Sequence, residues 1–446
     1  MGKNFRPWDV DQGKLFPPAA KDLVPSGHLA HFIRDLVRKE LDLAEIYAHY
    51  DELRGYPPYH PAMMTALLLY GYSRGIYSSR RIEQACEERV DFMALTGMEK
   101  PDHSTICQFR TDHRAALSKL FVQVLALCRE AGMVKLGHVA LDGTKVKANA
   151  SKHSAMSYQR MAEAEPELAG VVKEWMDQAK SADEREDEQH GKDRRGDEIP
   201  AHIKEKMKKL VKMRAAMQRL EREAAEKAER LRREREEKAE REGRKPGGPE
   251  PKALMGKPED KAQSNFTDPE SRILKTKDGY EQAYNCQAAV DAEHQVIVAQ
   301  GVTDKQNDGA ELVGLVEQIK DSTAVYPTQV SADAGYCSEA NIVAMEERKV
   351  DPYIAIGRQK HGAASPIDEG DNKTGPRTQA MREKLKTGGF ESPYRLRKQV
   401  VEPVFGQIKQ ARGFRQFLVR GLRNVAMQWS MLCTAHNLLK LHAVRS

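Results

Sequence analysis

Two stretches of sheet-forming sequence are separated by a block that no sheet can absorb. From His138 the run HVALDGTKVKANAS alternates apolar and polar residues and is rich in Val and Thr, the pattern of a strand. Residues 155–262 are dominated by charge, as in ADEREDEQHGKDRRGDE and KEKMKKLVKMRAAMQRLEREAAEKAERLRREREEKAERE. Sheet-like sequence returns at Gly279 with YEQAYNCQAAVDAE and HQVIVAQGVT, a hairpin turning at Asp291 to Glu293. A sheet drawing on both flanks must treat 155–262 as an insertion. Ile203, Met207, Leu210, Met217, Leu220, Ala224 and Leu231 form a broken stripe at three-four spacing. The insertion is expected to be a long solvated helix, a helical hairpin or a coiled coil, closed by the turn-rich linker GRKPGGPEPK. Acids and bases nearly balance over the block, which favours a solvated face over direct contact with nucleic acid.

Residues 1–132 read as helical. Leu29 to Leu43 and Ala62 to Tyr72 carry apolar residues at helical spacing, and Pro61 suits a first turn. Ser78 and Asp102 are expected to cap helices, and Gly97 and Gly132 to end them. With Arg74, Arg80, Arg81 and Arg110 among these helices, the region is either a DNA-binding module or a plain bundle with solvated arginines. Beyond the hairpin, Asp308 to Lys320 has a helical pattern. TQVSADAGYCSEANI reads as a strand ending in Asp333 and then a helix capped near Ser338, and PYIAIG as a further strand. Residues 357–390 are expected to form a loop.

Charge is informative where it concentrates. The chain's net charge is +6, and from Tyr394 to Ser446 ten Lys or Arg residues accompany one acid, Glu402. Val401, Phe405, Ile408 and Arg412 fall on one helical face, and Pro403 suits a first turn, so Glu402 is expected near a helix start. The six cysteines are scattered without a CxxC pair and read as reduced, mostly buried thiols of a cytoplasmic protein. The N-terminal run MGKNFRPWDVDQG lacks the apolar core of a signal peptide, and no apolar run is long enough for a membrane span.

Asp142 inside a strand, Asp333 at the end of another and Glu402 on a later helix can meet at one edge of a mixed sheet. Three carboxylates meeting there repel one another unless a divalent cation neutralises them. Oxygen-only ligands select Mg²⁺ or Mn²⁺, and two such ions about 4 Å apart suit in-line phosphoryl transfer. Surrounding Lys and Arg residues would hold a phosphate backbone.

These stretches resemble a known family. LDGTKVKANASKH, VSADAGYCSEANI and the series Tyr394, Arg397, Glu402, Lys409 are similar to the three catalytic blocks of DDE transposases of bacterial insertion sequences. TDPESRILKTKDGYEQAYNCQAAVDAEHQVIVA and GYPPYHPAMMTALLLYGYSRGIYSSRRIEQAC…PDHSTICQFR resemble the same family. The resemblance implies an RNase H-like α/β fold: a mixed sheet with flanking helices in residues 137–154 and 263–446. A helical domain, 1–132, precedes it and a helical insertion, 155–262, interrupts it. It implies Mg²⁺- or Mn²⁺-dependent cleavage of element ends and strand transfer, with two ions held by Asp142, Asp333 and Glu402. Tyr394, Arg397, Lys398 and Lys409 would position DNA, and the protein would act as a homodimer or higher assembly on DNA. The family signature sets three residues between Arg and Glu. Four separate Arg397 from Glu402 and three separate Lys398 from it, so both stay candidates for that role. The family's usual β-rich insertion before the Glu helix is absent, so a hairpin-forming cleavage pathway does not carry over. A non-catalytic DNA-binding descendant, a metal-dependent nuclease without strand transfer and a coiled-coil scaffold on residues 200–242 are the competing readings.

Overall fold

A computed structural model of the chain describes residues 19–50, 57–190, 199–241, 243, 256–276, 279–357 and 375–445. The start of the chain, most of the GRKPGGPEPK linker and residues 358–374 of the expected loop lie outside them.

Among the described residues seven α-helices come first: α1 (Leu29–Lys39), α2 (Ala44–Tyr47), α3 (Pro61–Ser73), α4 (Ser79–Glu88), α5 (Val90–Thr96), α6 (His103–Asp112) and α7 (Arg114–Glu130). Their ends follow local chemistry. Pro61 stands in the first turn of α3, and the Asp102 carboxylate accepts from the Ser104 and Thr105 amides at the start of α6. Gly97 and Gly132 take left-handed φ of +67° and +73° after α5 and α7. Ser78 holds the expected position before α4, but its hydroxyl makes no capping bond.

Strand β1 (His138–Lys147) follows, then the short β2 (Ala155–Ser157) and two long helices, α8 (Tyr158–His190) and α9 (Ala201–Arg241). The insertion is therefore a helical hairpin rather than one helix. It is not wholly helical: β2 pairs antiparallel with β3 (Gln263–Asn265), because the chain must leave and re-enter the sheet domain at one place. Its apolar contacts are few, with Met161, Met213, Ala216 and Leu220 forming a small core of their own.

The second flank supplies β4 (Arg272–Thr276), β5 (Gly279–Asp291), β6 (Ile297–Thr303), α10 (Glu311–Thr323), β7 (Gln329–Ala332), α11 (Glu339–Glu347) and β8 (Asp351–Ile354). The sheet runs β4-β5-β1-β7-β8, with β6 also pairing on β5. β1 is antiparallel to β5 and parallel to β7, and β7 is parallel to β8. Then come α12 (Pro376–Gly388), α13 (Leu396–Gly406) and α14 (Leu422–Arg445). Much of α14 is buried around its whole circumference, from Val425 to Leu438, because it lies between the N-terminal helices and the sheet. One hydrophobic core thus runs from Leu29 in α1 through the sheet to Leu441 in α14.

Two expectations are corrected. Residues 376–388, read as loop, are α12; their cap is supplied from another helix, as the Glu339 carboxylate accepts from the Arg377 and Thr378 amides. Glu402 is not at a helix start. It lies in the second half of α13 with Pro403 inside the helix. Proline removes the amide that would bond the Gln399 carbonyl, and the Gln295 side-chain amide donates to that carbonyl instead, at 3.1 Å.

Candidate active site

β1 and β7 pair in register over His138 to Ala140 and Gln329 to Ser331. Extended by two residues, that register sets Asp142 opposite Asp333, just past the last residue of β7. Two strands in parallel thus deliver two carboxylates side by side. The Asp333 Oδ1 accepts from the Gly335 amide at 2.9 Å, which fixes the turn after the strand.

Burial pushes the Asp142 carboxyl up to about 6; Arg397 opposes the shift and Asp333 adds to it. Burial also raises Asp333, with the Gly335 amide and Arg397 pulling the other way and Asp308 adding repulsion. The site therefore disfavours the negative charge it holds. Arg397 is the compensating cation: from the first turn of α13 its Nη1 donates to Asp142 Oδ2 at 2.7 Å, and its side chain is 8% exposed. The guanidinium also lies over the buried Tyr394 ring, 5.9 Å from its centroid.

Of the two candidates for the basic signature position, Arg397 faces the carboxylates, whereas Lys398 is exposed. Lys409 lies in a π-helical turn, Gln407–Ala411, and its ammonium donates to the Lys145 carbonyl of β1 at 2.6 Å. Glu402 is exposed and has no hydrogen bond or ion pair among the described residues. Asp142 and Asp333 are brought together; Glu402 is not gathered with them, and among the described residues no three His, Cys, Asp or Glu side chains form a group able to hold a metal ion.

The basic segment after α13 runs beside β1. The Phe417 amide donates to the Lys147 carbonyl at 2.8 Å, and Arg420 Nε to the Asn149 carbonyl at 3.0 Å.

Two family profiles match the sequence, one described as Transposase domain (DUF772) over residues 18–112 and one as Transposase DDE domain over residues 258–438. The chain belongs to the DDE transposases of the insertion-sequence type. No curated protein and no solved structure matches it. In this transposase β1 and Asp142 lie between the two matched regions, so the place of Asp142 beside Asp333 rests on the strand register.

One acidic residue of the site escaped the sequence reading. Asp308, before α10, accepts from Asn285 Nδ2 and Gln287 Nε2, both at 2.6 Å, and Lys145 Nζ stands 3.7 Å away. A Cβ on Gly143 would meet Asp308 Oδ1 at 2.6 Å, and one on Gly335 would meet Asp308 Oδ2 at 3.1 Å and Asp333 Oδ1 at 3.0 Å. Both glycines are needed for this close approach. The signal was present in β5, where Asn285 and Gln287 alternate on one face and are fully buried. Two buried amides in a central strand require a polar partner.

Proposed function

We propose that the transposase cleaves the DNA ends of its element and transfers the freed strand to a target, using divalent cations held by Asp142, Asp333 and Glu402. The observation that carries the reading is the register that sets Asp142 opposite Asp333 at the ends of adjacent parallel strands, inside a transposase. The β6-β5-β1-β7-β8 order, three antiparallel strands followed by two parallel ones, supports an RNase H-like reading of the sheet.

The donor set fits a hard divalent cation. Asp142 and Asp333 offer carboxylate oxygens whose negative charge burial disfavours; Glu402, exposed on α13, would have to approach them to serve as the third ligand. Bound there, Mg²⁺ or Mn²⁺ would make an attacking water more acidic and stabilise the leaving oxygen of the phosphodiester. Asp142 and Asp333 supply charge at fixed strand ends. Arg397 holds Asp142 in one orientation and screens it from Asp333, and Tyr394 packs against that guanidinium. Lys398 and the exposed Arg415 and Arg420 would bind backbone phosphates. Lys409 ties the end of α13 to β1 and would hold the DNA-facing helix in place.

Asp142→Asn, Asp333→Asn and Glu402→Gln keep size and remove charge. Each should reduce Mg²⁺-dependent strand cleavage by orders of magnitude and leave DNA binding unchanged or tighter. Parent-like cleavage by Glu402→Gln would remove Glu402 from the site. Cleavage without joined product would favour the nuclease reading, and a parent that binds DNA but does not cut it would favour a non-catalytic binder.

A further inference from the structure

The charge of α9 is unevenly divided. From Ala201 to Leu220 there are seven Lys or Arg residues and one acid, Glu205; from Glu221 to Arg241 there are eight of each sign. The excess in the first half is as large as the net charge of the whole chain, +6. In the first half the two arginines are paired, Arg214 with Glu165 at 2.7 Å and Arg219 with Glu223 at 3.7 Å. Arg230 pairs with Glu234 at 3.8 Å and Arg233 with Glu229. Lys204, Lys206, Lys208, Lys209 and Lys212 make no ion pair among the described residues.

Their direction is set by the packing. Met213, Ala216 and Leu220 pack with Met161 of α8, and Ile203 and Leu210 are buried on the same side, so Lys204 and Lys208 lie opposite that side and Lys212 beside it. All three are exposed, with Lys209 at the flank. Between them Val211 is 66% exposed. The stripe from Lys204 to Lys212 is about 12 Å long, the axial rise of three to four phosphates on one DNA strand.

The arm that carries this stripe is held at its base. Arg219 Nη2 donates to Ser264 Oγ at 2.8 Å, and Arg272 bridges Glu223 and Asp304 at 3.2 and 3.1 Å. Lys204 is about 22 Å further along α9 from Arg219. The lysines thus lie on α9 beyond the contacts that Arg219 and Glu223 make with Ser264 and Arg272.

We propose that the Lys204, Lys208, Lys209 and Lys212 face of α9 binds the phosphate backbone of duplex DNA, as a second contact outside the catalytic site. The proposal rests on the transposase reading, which makes DNA the substrate. An array of unpaired ammonium groups complements a phosphate backbone and carries no sequence information, so the contact is independent of base sequence.

The test uses the full chain and a labelled mixed-sequence duplex, with binding measured by anisotropy over a range of salt concentrations. The variant carries Lys204→Gln, Lys208→Gln, Lys209→Gln and Lys212→Gln; a control carries Arg230→Gln and Arg233→Gln. The lysine variant should lose about three units from the slope of log affinity against log salt, and the control less than one. Circular dichroism should show unchanged helix content for both. An unchanged slope in a lysine variant that binds and cleaves like the parent overturns this contact and leaves the transposase reading standing. An equal loss in the control reduces the effect to bulk charge and also overturns it. So does a loss of self-association with no change in DNA binding, which would assign the lysines to the acidic α8 of a second copy. A parent that does not bind the mixed-sequence duplex also overturns the contact and leaves the transposase reading to the cleavage assay.

Discussion

Arg397 Nη1 donates to Asp142 Oδ2 at 2.7 Å, joining α13 to β1 across 255 residues of sequence. The pair is nearly enclosed, with side chains 8% and 18% exposed. Removing the arginine leaves a buried carboxylate without its cation. Arg397→Met should therefore destabilise the fold by about 3–5 kcal/mol, and far less in an Asp142→Asn background. Urea denaturation of the four proteins of the cycle measures this. Equal costs in both backgrounds would show that the arginine acts through packing alone.

Gln295 repairs what Pro403 removes. Its Nε2 donates to the Gln399 carbonyl, which has no helical donor because residue 403 is proline. Gln295→Ala should cost about 0.5–1.5 kcal/mol. In Pro403→Ala the restored amide of residue 403 reaches that carbonyl, so Gln295→Ala should then cost less. A cycle with no coupling would separate the two residues.

Gly375 allows Glu339 to reach the start of α12. A Cβ there would meet Glu339 Cδ at 2.5 Å. Gly375→Ala should push the Glu339 carboxylate off its two amides, and both it and Glu339→Ala should speed amide exchange in the first turn of α12 without doing so in α11. Hydrogen exchange read by mass spectrometry distinguishes these outcomes; uniform acceleration in both helices would contradict a local cap.

His436, on the buried helix α14, donates from Nε2 to the Gln295 carbonyl at 2.9 Å, and its Nδ1 faces Arg412 Nη2 at 3.4 Å. Burial, with Arg412 in the same direction, pushes its pKa down to about 3. Between pH 6.5 and about 3 the unfolded chain takes up a proton that the folded chain refuses. Stability should therefore fall as pH drops through that window, by about 1.4 kcal/mol per pH unit from this group. Subtracting the His436→Gln denaturation profile from that of the parent isolates the contribution. Parallel profiles would mean that His436 is protonated in the fold or titrates alike in both states.

The local elements were legible because their signals are local. Pro61, Asp102, Gly97 and Gly132 act within one or two turns, and β1, β5 and β6 are marked by their own Val-, Thr- and Tyr-containing runs, although β5 is buried on both faces from Gln282 to Asp291. Asp142 stood out as an acid inside a strand, where acids are disfavoured, and Asp333 as the residue that ends one. Glu402 stood out as a lone acid in a basic segment, but its environment did not follow from that. Pro403 reads as a helix start, and the tertiary contact from Gln295 is what makes it an interior residue. Helix α12 was missed for a similar reason: Gly375 has no side chain to cap it, and the capping carboxylate comes from Glu339, some forty residues earlier on α11. Asp308 was missed because its partners Asn285, Gln287 and Lys145 lie on other strands. The sequence by itself determined most of the longer elements, the interruption of the sheet and the family. The tertiary structure decided which charges meet, because a buried charge is set by whatever the fold places within a few ångströms of it, and for Asp142 that is Arg397.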